Sequence, residues 1–233
     1  MKWRIVCDFD GTIATEDVTD SLLARFANPA WSLFEAEWRA GRIGSRECMA
    51  SQTGLIRATR AEIDAHIDGI SIDPYFPDFA ALCRRARIPL TVASDGLDYA
   101  IRRILGRYGL ADLAVVSNRL VAVADDRYRL SFPNARGDCR AGTCKCAVFA
   151  AVPRARRTIL IGDGASDFCA AIEADFVFAK GSLLDHCEKH ALAHEGFTDF
   201  GQVRERLCAF LNIRDTTAPA PPRATTRESE ARE

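Results

Sequence analysis

The stretch that most limits what this chain can fold into is Trp3-Arg4-Ile5-Val6-Cys7-Asp8-Phe9-Asp10-Gly11-Thr12. A short apolar run stops on two aspartates one residue apart, then a glycine and a hydroxyl. The run is too short for a membrane span and reads as a buried strand. Aspartate is depleted inside strands, so two at a strand end need a cause. In an open α/β sheet, ligands bind beyond the carboxyl ends of the strands, which sets Asp8 at the mouth of a crevice. Side chains alternate along a strand, so Asp8 and Asp10 share a face. Carboxylates that close repel unless a proton or cation separates them, and Mg²⁺ with few protein ligands suits the gap. Taken alone, the residues also fit a plain strand-end turn, where Asp-Gly is common.

The same logic recurs further along. Ile88 to Ala93 is an apolar run ending in Ser94-Asp95-Gly96, and Arg157 to Ile161 is another ending in Gly162-Asp163-Gly164-Ala165-Ser166-Asp167. A helix that starts directly after a strand aims free N–H groups at the sheet edge, which suits a phosphate. A strand–turn–helix with an aspartate N-cap explains one acid comfortably. It does not explain acids ending both the first and the last of these runs.

Between the first two runs the period changes to that of helices. Val18, Leu22, Leu23 and Phe26 repeat, then Trp31, Phe34 and Trp38, then Met49, then Ile63 and Ile67, with Asn28-Pro29, Gly41, Gly44 and Gly54 as punctuation. This predicts four short helices, with residues 15–71 a cap over the end of the first strand. Residues 1–14 and 72–213 form the core. A lid there would screen the crevice and select the substrate; padding of the core is the plainer alternative.

Later segments predict a helix over 75–87, a helix over 97–108 and a third strand at 113–117. A hairpin over 119–132 is expected beside the sheet, followed by a loop over 134–146, a strand at 176–178 and a closing helix at 201–211. The loop holds Cys139, Cys144 and Cys146, read as free thiols or an incidental disulfide rather than a metal site, because no fourth ligand lies near in sequence. Lys145 opens a helix and is expected to face solvent or reach into the crevice. From Asp215 on, the tail lacks apolar anchors and reads as disordered.

Of the 233 residues, 48% are hydrophobic, enough for a sizeable core, and the net charge of -1 gives no sign of a nucleic-acid or acidic-membrane surface. No apolar stretch is long enough to span a bilayer, and no signal peptide precedes the first strand. Nine scattered cysteines suit a reducing cytoplasm.

Asp8-Phe9-Asp10-Gly11-Thr12, Ser94, Lys145 and Gly162 to Asp167 together resemble, in order, the four motifs of the haloacid dehalogenase (HAD) superfamily of phosphohydrolases. The helical insert is similar to the cap of its phosphoserine-phosphatase-like subgroup. More narrowly, Phe132-Pro133, Cys139 to Cys146 and Asp17 resemble the 2-hydroxy-3-keto-5-methylthiopentenyl-1-phosphate phosphatases of methionine salvage. The resemblance implies a Rossmann-like doubly wound parallel sheet with an inserted helical-bundle cap. It further implies a Mg²⁺-dependent hydrolase for a small phosphorylated metabolite, working through an aspartyl-phosphate. Asp8 is then the nucleophile and Asp10 the general acid and base. Ser94 and Lys145 hold the phosphate, with Gly96 and Asp167 in support. Asp8, Asp10 (through its carbonyl) and Asp163 hold the metal. Backbone amides of Phe9 and Asp10, or of Asp95 and Gly96, add donors.

In the cap, Asp17, Ser51 and Gln52 stand where phosphoserine phosphatases place a glutamate for the substrate amine and an arginine for its carboxylate. That departure weighs against phosphoserine, which stays as an alternative substrate together with another small phosphomonoester. Two other readings keep the same scaffold: a phosphotransferase or mutase, and a regulatory protein without activity. Monomer and dimer both remain open.

Overall fold

The computed structural model describes residues 2–151 and 156–213; the tail expected to be disordered lies outside the described residues. Seven strands form one sheet: β1 (Lys2–Cys7), β2 (Leu90–Leu97), β3 (Ala114–Ala124), β4 (Arg127–Ser131), β5 (Arg156–Gly162), β6 (Phe176–Ala179) and β7 (His194–Gly196). Their order is β4-β3-β2-β1-β5-β6-β7, and every neighbouring pair is parallel except β3–β4. β1 and β5 lie side by side at the centre, with Cys7 opposite Ile161. The two strands that end in aspartates therefore deliver them next to each other.

Alternation along the strands builds two cores. Ile5, Cys7, Val92, Ile159, Ile161 and Phe178 face α5 (Phe76–Arg85), α6 (Asp98–Arg107) and α10 (Phe200–Leu211). Val6, Ala93, Leu160 and Val177 face α7 (Lys145–Ala150), α8 (Phe168–Glu173) and α9 (Gly181–Lys189). Covering both faces is what makes the strands continuous apolar runs rather than alternating ones. The architecture is the expected doubly wound α/β sheet.

Four helices are inserted between β1 and α5: α1 (Val18–Phe26), α2 (Trp31–Arg39), α3 (Ser45–Thr53) and α4 (Arg60–Ile67). Each holds one of the helical repeats read from the sequence. An isolated bridge between Ala14 and Ile72 ties the outgoing chain to the returning one. Asp17 caps α1 by accepting from the Asp20 amide, and Thr59 with Glu62 forms a capping box on α4.

The region after α6 differs from the expectation. The third strand and the first arm of the hairpin are one strand, β3, and β4 pairs with it antiparallel at the edge of the main sheet. The polar Ser117-Asn118 pair reads as a break, but both residues are buried within the strand. Asn118 repays its burial by donating through Nδ2 to Asp95 Oδ1 at 2.9 Å and accepting from Thr143 Oγ1 at 3.1 Å.

Candidate active site

Acidic side chains gather at the carboxyl end of the central strands. Asp8 follows β1 directly, and its amide donates to the Ile161 carbonyl at 2.8 Å, which registers the two strand ends. Ligand oxygens of Asp8, Asp163 and Asp167 lie within 4.8 Å of one another. Thr12 and Asp163, 151 residues apart in sequence, meet through a 2.6 Å bond from the Thr12 hydroxyl to Asp163 Oδ1. Gly11 makes the turn between them with φ +65°, and a Cβ there would sit 2.6 Å from Asp163 Oδ2.

Lys145 stands among these acids. It is 1% exposed, with Nζ 3.0 Å from Asp8 Oδ1 and 2.5 Å from Asp167 Oδ1. Burial alone would lower its pKa; the charges of Asp167 and Asp8 more than reverse that and hold it protonated. Lysine is ordinarily solvent-facing, but here two carboxylates, Asp8 and Asp167, supply the compensation burial needs. Asp167 also accepts from the amides of Asp163 and Gly164, at 3.3 and 3.4 Å. It braces Lys145 and the turn after β5.

Burial pushes the Asp8 carboxyl well above the usual carboxylate range; Lys145 opposes this, and Asp167, Asp163 and Asp10 add to it. Burial, with the charge of Asp167, also raises Asp163 against the pull of the Thr12 hydroxyl. An all-oxygen donor set short of positive charge fits a hard divalent cation.

Asp10 occupies a different environment from Asp8. Its Oδ1 accepts from the Val18 amide at 2.9 Å and its Oδ2 from the Ser94 hydroxyl at 3.1 Å. Burial, then the charge of Asp17, raises it to about 8. The two carboxyls are both raised by burial but have different partners: Lys145 stands beside Asp8, whereas Asp10 meets the Val18 amide and the Ser94 hydroxyl. Ser94 is buried at the end of the apolar part of β2 and accepts from the Gly96 amide at 2.8 Å. The Phe9 amide goes to Asp8 Oδ1 at 2.8 Å. Two of the amides expected to add donors thus serve the acids and Ser94 instead. A Cβ on Gly96 would collide with Asp10 Oδ2 and lie 3.0 Å from Ser94 Oγ. Gly96→Ala is expected to lower kcat about 100-fold by displacing the Asp10 carboxyl, the scale of an ångström's misplacement. Steady-state kinetics with unchanged thermal stability would separate this from unfolding.

The insert roofs the site. Asp17, Asp20 and Glu35, with Trp38, Arg39, Cys48, Met49 and Gln52, line the same cavity of about 190 Å³ as Asp8, Asp10, Ser94 and Asp163. Gln52 is buried and donates to Glu35 Oε2 at 3.2 Å. Ser51, its neighbour, is not among the residues lining the cavity. Asp20 and Glu35 were not legible as site residues, because acids on short helices read as a solvated face. Partial burial, then the charges of Asp17 and Glu35, raise Asp20 to about 6.

The cysteine loop fastens roof to floor. Arg46 donates to the carbonyls of Arg136 and Cys139, and Arg140 donates to those of Gly41 and Arg42. Asp95 accepts from Ser45 of the insert, from the Thr143 amide at 2.8 Å and from Asn118. The loop's three cysteines are free, and the thiol of Cys146 pairs with Cys169 of α8, a neighbour that spacing alone does not reveal. Among the described residues no helix is long and apolar enough to cross a membrane.

A parallel α/β sheet with strand-end aspartates, a buried lysine and a helical roof defines a haloacid dehalogenase-like hydrolase. Residues 5–171 match that family, and the chain belongs to it. It is a phosphatase of the family, on the strength of its relatives. The chain is 30% identical to 2-hydroxy-3-keto-5-methylthiopentenyl-1-phosphate phosphatase of Brevibacillus brevis, covering 87% of this chain and 93% of the relative. The enzyme of the same name from Geobacillus thermodenitrificans is 28% identical, over 89% and 97%. Among solved structures, a substrate-bound phosphoserine phosphatase complex superposes with a TM-score of 0.67 at 18% identity, over 88% of this chain and 98% of that one. This last likeness concerns the fold.

Proposed function

We propose that this chain is a Mg²⁺-dependent phosphatase for 2-hydroxy-3-keto-5-methylthiopentenyl-1-phosphate, with residues 15–71 as its cap. The observation that carries the chemistry is the convergence of Asp8 and Asp163 beside Lys145, with Asp10 in the same cavity held by Ser94 and the Val18 amide. Asp8 attacks phosphorus and becomes an aspartyl-phosphate, which divides hydrolysis into two steps. Asp10, protonated at neutral pH, gives its proton to the leaving oxygen. It then takes one from the water that releases phosphate. Ser94 and Lys145 hold phosphoryl oxygens as charge moves onto them. Asp8, Asp163 and the Asp10 carbonyl would hold Mg²⁺, which supplies positive charge to screen the nucleophile from the phosphate.

The substrate follows from the relatives' names together with the roof. Phosphoserine needs a cation for its α-carboxylate, yet Ser51 does not line the cavity and the Arg39 Nε lies on Glu35 at 2.9 Å. Three roof carboxylates, Asp17, Asp20 and Glu35, would repel a further anion.

A panel of phosphoserine, pyridoxal phosphate, phosphocholine and the methylthio ester tests this. The expected result is the highest kcat/KM on the methylthio ester, lost with a chelator and restored by Mg²⁺. A preference for phosphoserine would overturn the substrate, and full activity in chelator would overturn the metal.

A further inference from the structure

The roof of the cavity is chemically divided. One part is charged, with Asp17, Asp20 and the Glu35–Arg39 pair; beside it Trp38, Cys48 and Met49 of α2 and α3 offer uncharged side chains. We propose that Trp38 and Met49 form the subsite for the thioether end of the substrate, an inference that rests on the methylthio ester being the substrate. The phosphate end is fixed at the floor by the groups around Asp8, so the far end of a bound ester must meet the roof. An apolar tail directed at the acids would cost them hydration and offer no new partner in return. Directed at Trp38 and Met49, it buries apolar surface against polarizable atoms, and a sulfur packs well on an aromatic ring or another thioether.

Met49 is held in place for this. It is 8% exposed, and its Sδ lies 3.8 Å from Nδ2 of Asn118, which is itself fully buried and tied to Asp95. The site on the roof is thereby registered to the strand that carries Ser94. Trp38 belongs to α2, a helix with no fully buried residue, and it lines the cavity while only part-buried.

The test compares kcat/KM on the methylthio ester with that on the same ester bearing hydrogen in place of the methylthio group. Wild-type protein is expected to prefer the methylthio ester. Met49→Gln, close in shape but polar, and Trp38→Ala are each expected to reduce that preference about tenfold or more, the scale of a lost methylene-sized contact. Met49→Leu is expected to keep most of it. If both Met49→Gln and Trp38→Ala retain the wild-type ratio, or lower both esters equally, the subsite is wrong while the substrate stands. A wild-type protein that does not hydrolyse the methylthio ester refutes the substrate and the subsite with it. Trp38 lies on a helix outside the core, so its variant reads out even if Met49→Gln fails to fold.

Discussion

Replacing Asp8 with asparagine is expected to lower phosphate release by at least about 10⁴-fold, the scale seen when a nucleophile is removed, with the fold intact. The amide retains the oxygen that accepts from the Phe9 amide at 2.8 Å and from Lys145 at 3.0 Å, so the local geometry has its hydrogen bonds. What disappears is the carboxylate that attacks phosphorus. Stability is expected to change little. Burial raises the folded-state pKa of Asp8 above its unfolded value, so its contribution to stability is present at low pH and lost as pH rises through the folded value. At neutral pH a neutral side chain removes that cost but also one of the two carboxylates paired with Lys145, leaving Asp167 at 2.5 Å, so the metal-free variant should melt close to wild type. Phosphate release together with a thermal scan measures both. Activity within tenfold of wild type would remove Asp8 from the chemistry.

The second large effect is expected at Lys145. Lys145→Met keeps length and apolar bulk but deletes the cation between Asp8 and Asp167. Removing one partner of a buried ion pair typically costs about 3–5 kcal/mol, because the remaining charge is left uncompensated. Here two carboxylates lose their partner, and Ser166, 3.2 Å from Nζ, loses a donor. Activity should also fall about 10²–10³-fold, the scale of deleting one group that stabilises transition-state charge. Denaturant unfolding in metal-free buffer tests the first part, and kinetics at saturating Mg²⁺ the second. A variant as stable as wild type would mean the acids are protonated or separated without the lysine.

Much of the site could be read from sequence because strands announce themselves. An apolar run ending in Asp8-Phe9-Asp10, and another ending in Gly162-Asp163, fix both the class of sheet and where its acids emerge. The spacing could not show that β1 and β5 are direct neighbours, which makes the acids meet. Lys145 was harder to place, because the acids that justify its burial come from the ends of other strands. The hairpin misled because Ser117-Asn118 looks like a turn, whereas Asn118 is satisfied by Asp95 and Thr143 from distant segments. Asp95 itself reads as part of a Ser-Asp-Gly turn; its partner Ser45 is 50 residues away. The roof acids Asp20 and Glu35 carried no local signal, since only packing of α1 and α2 over the crevice gives them a shared environment.

Trapping the phosphoryl group on the enzyme tests the account most directly. Wild-type protein mixed with radiophosphate-labelled substrate and Mg²⁺, quenched in acid within a turnover, should carry label on the tryptic peptide of residues 5–25. That label should be labile to hydroxylamine and absent from the Asp8→Asn variant. Label on any other peptide, or full turnover with none at all, would contradict nucleophilic attack by Asp8.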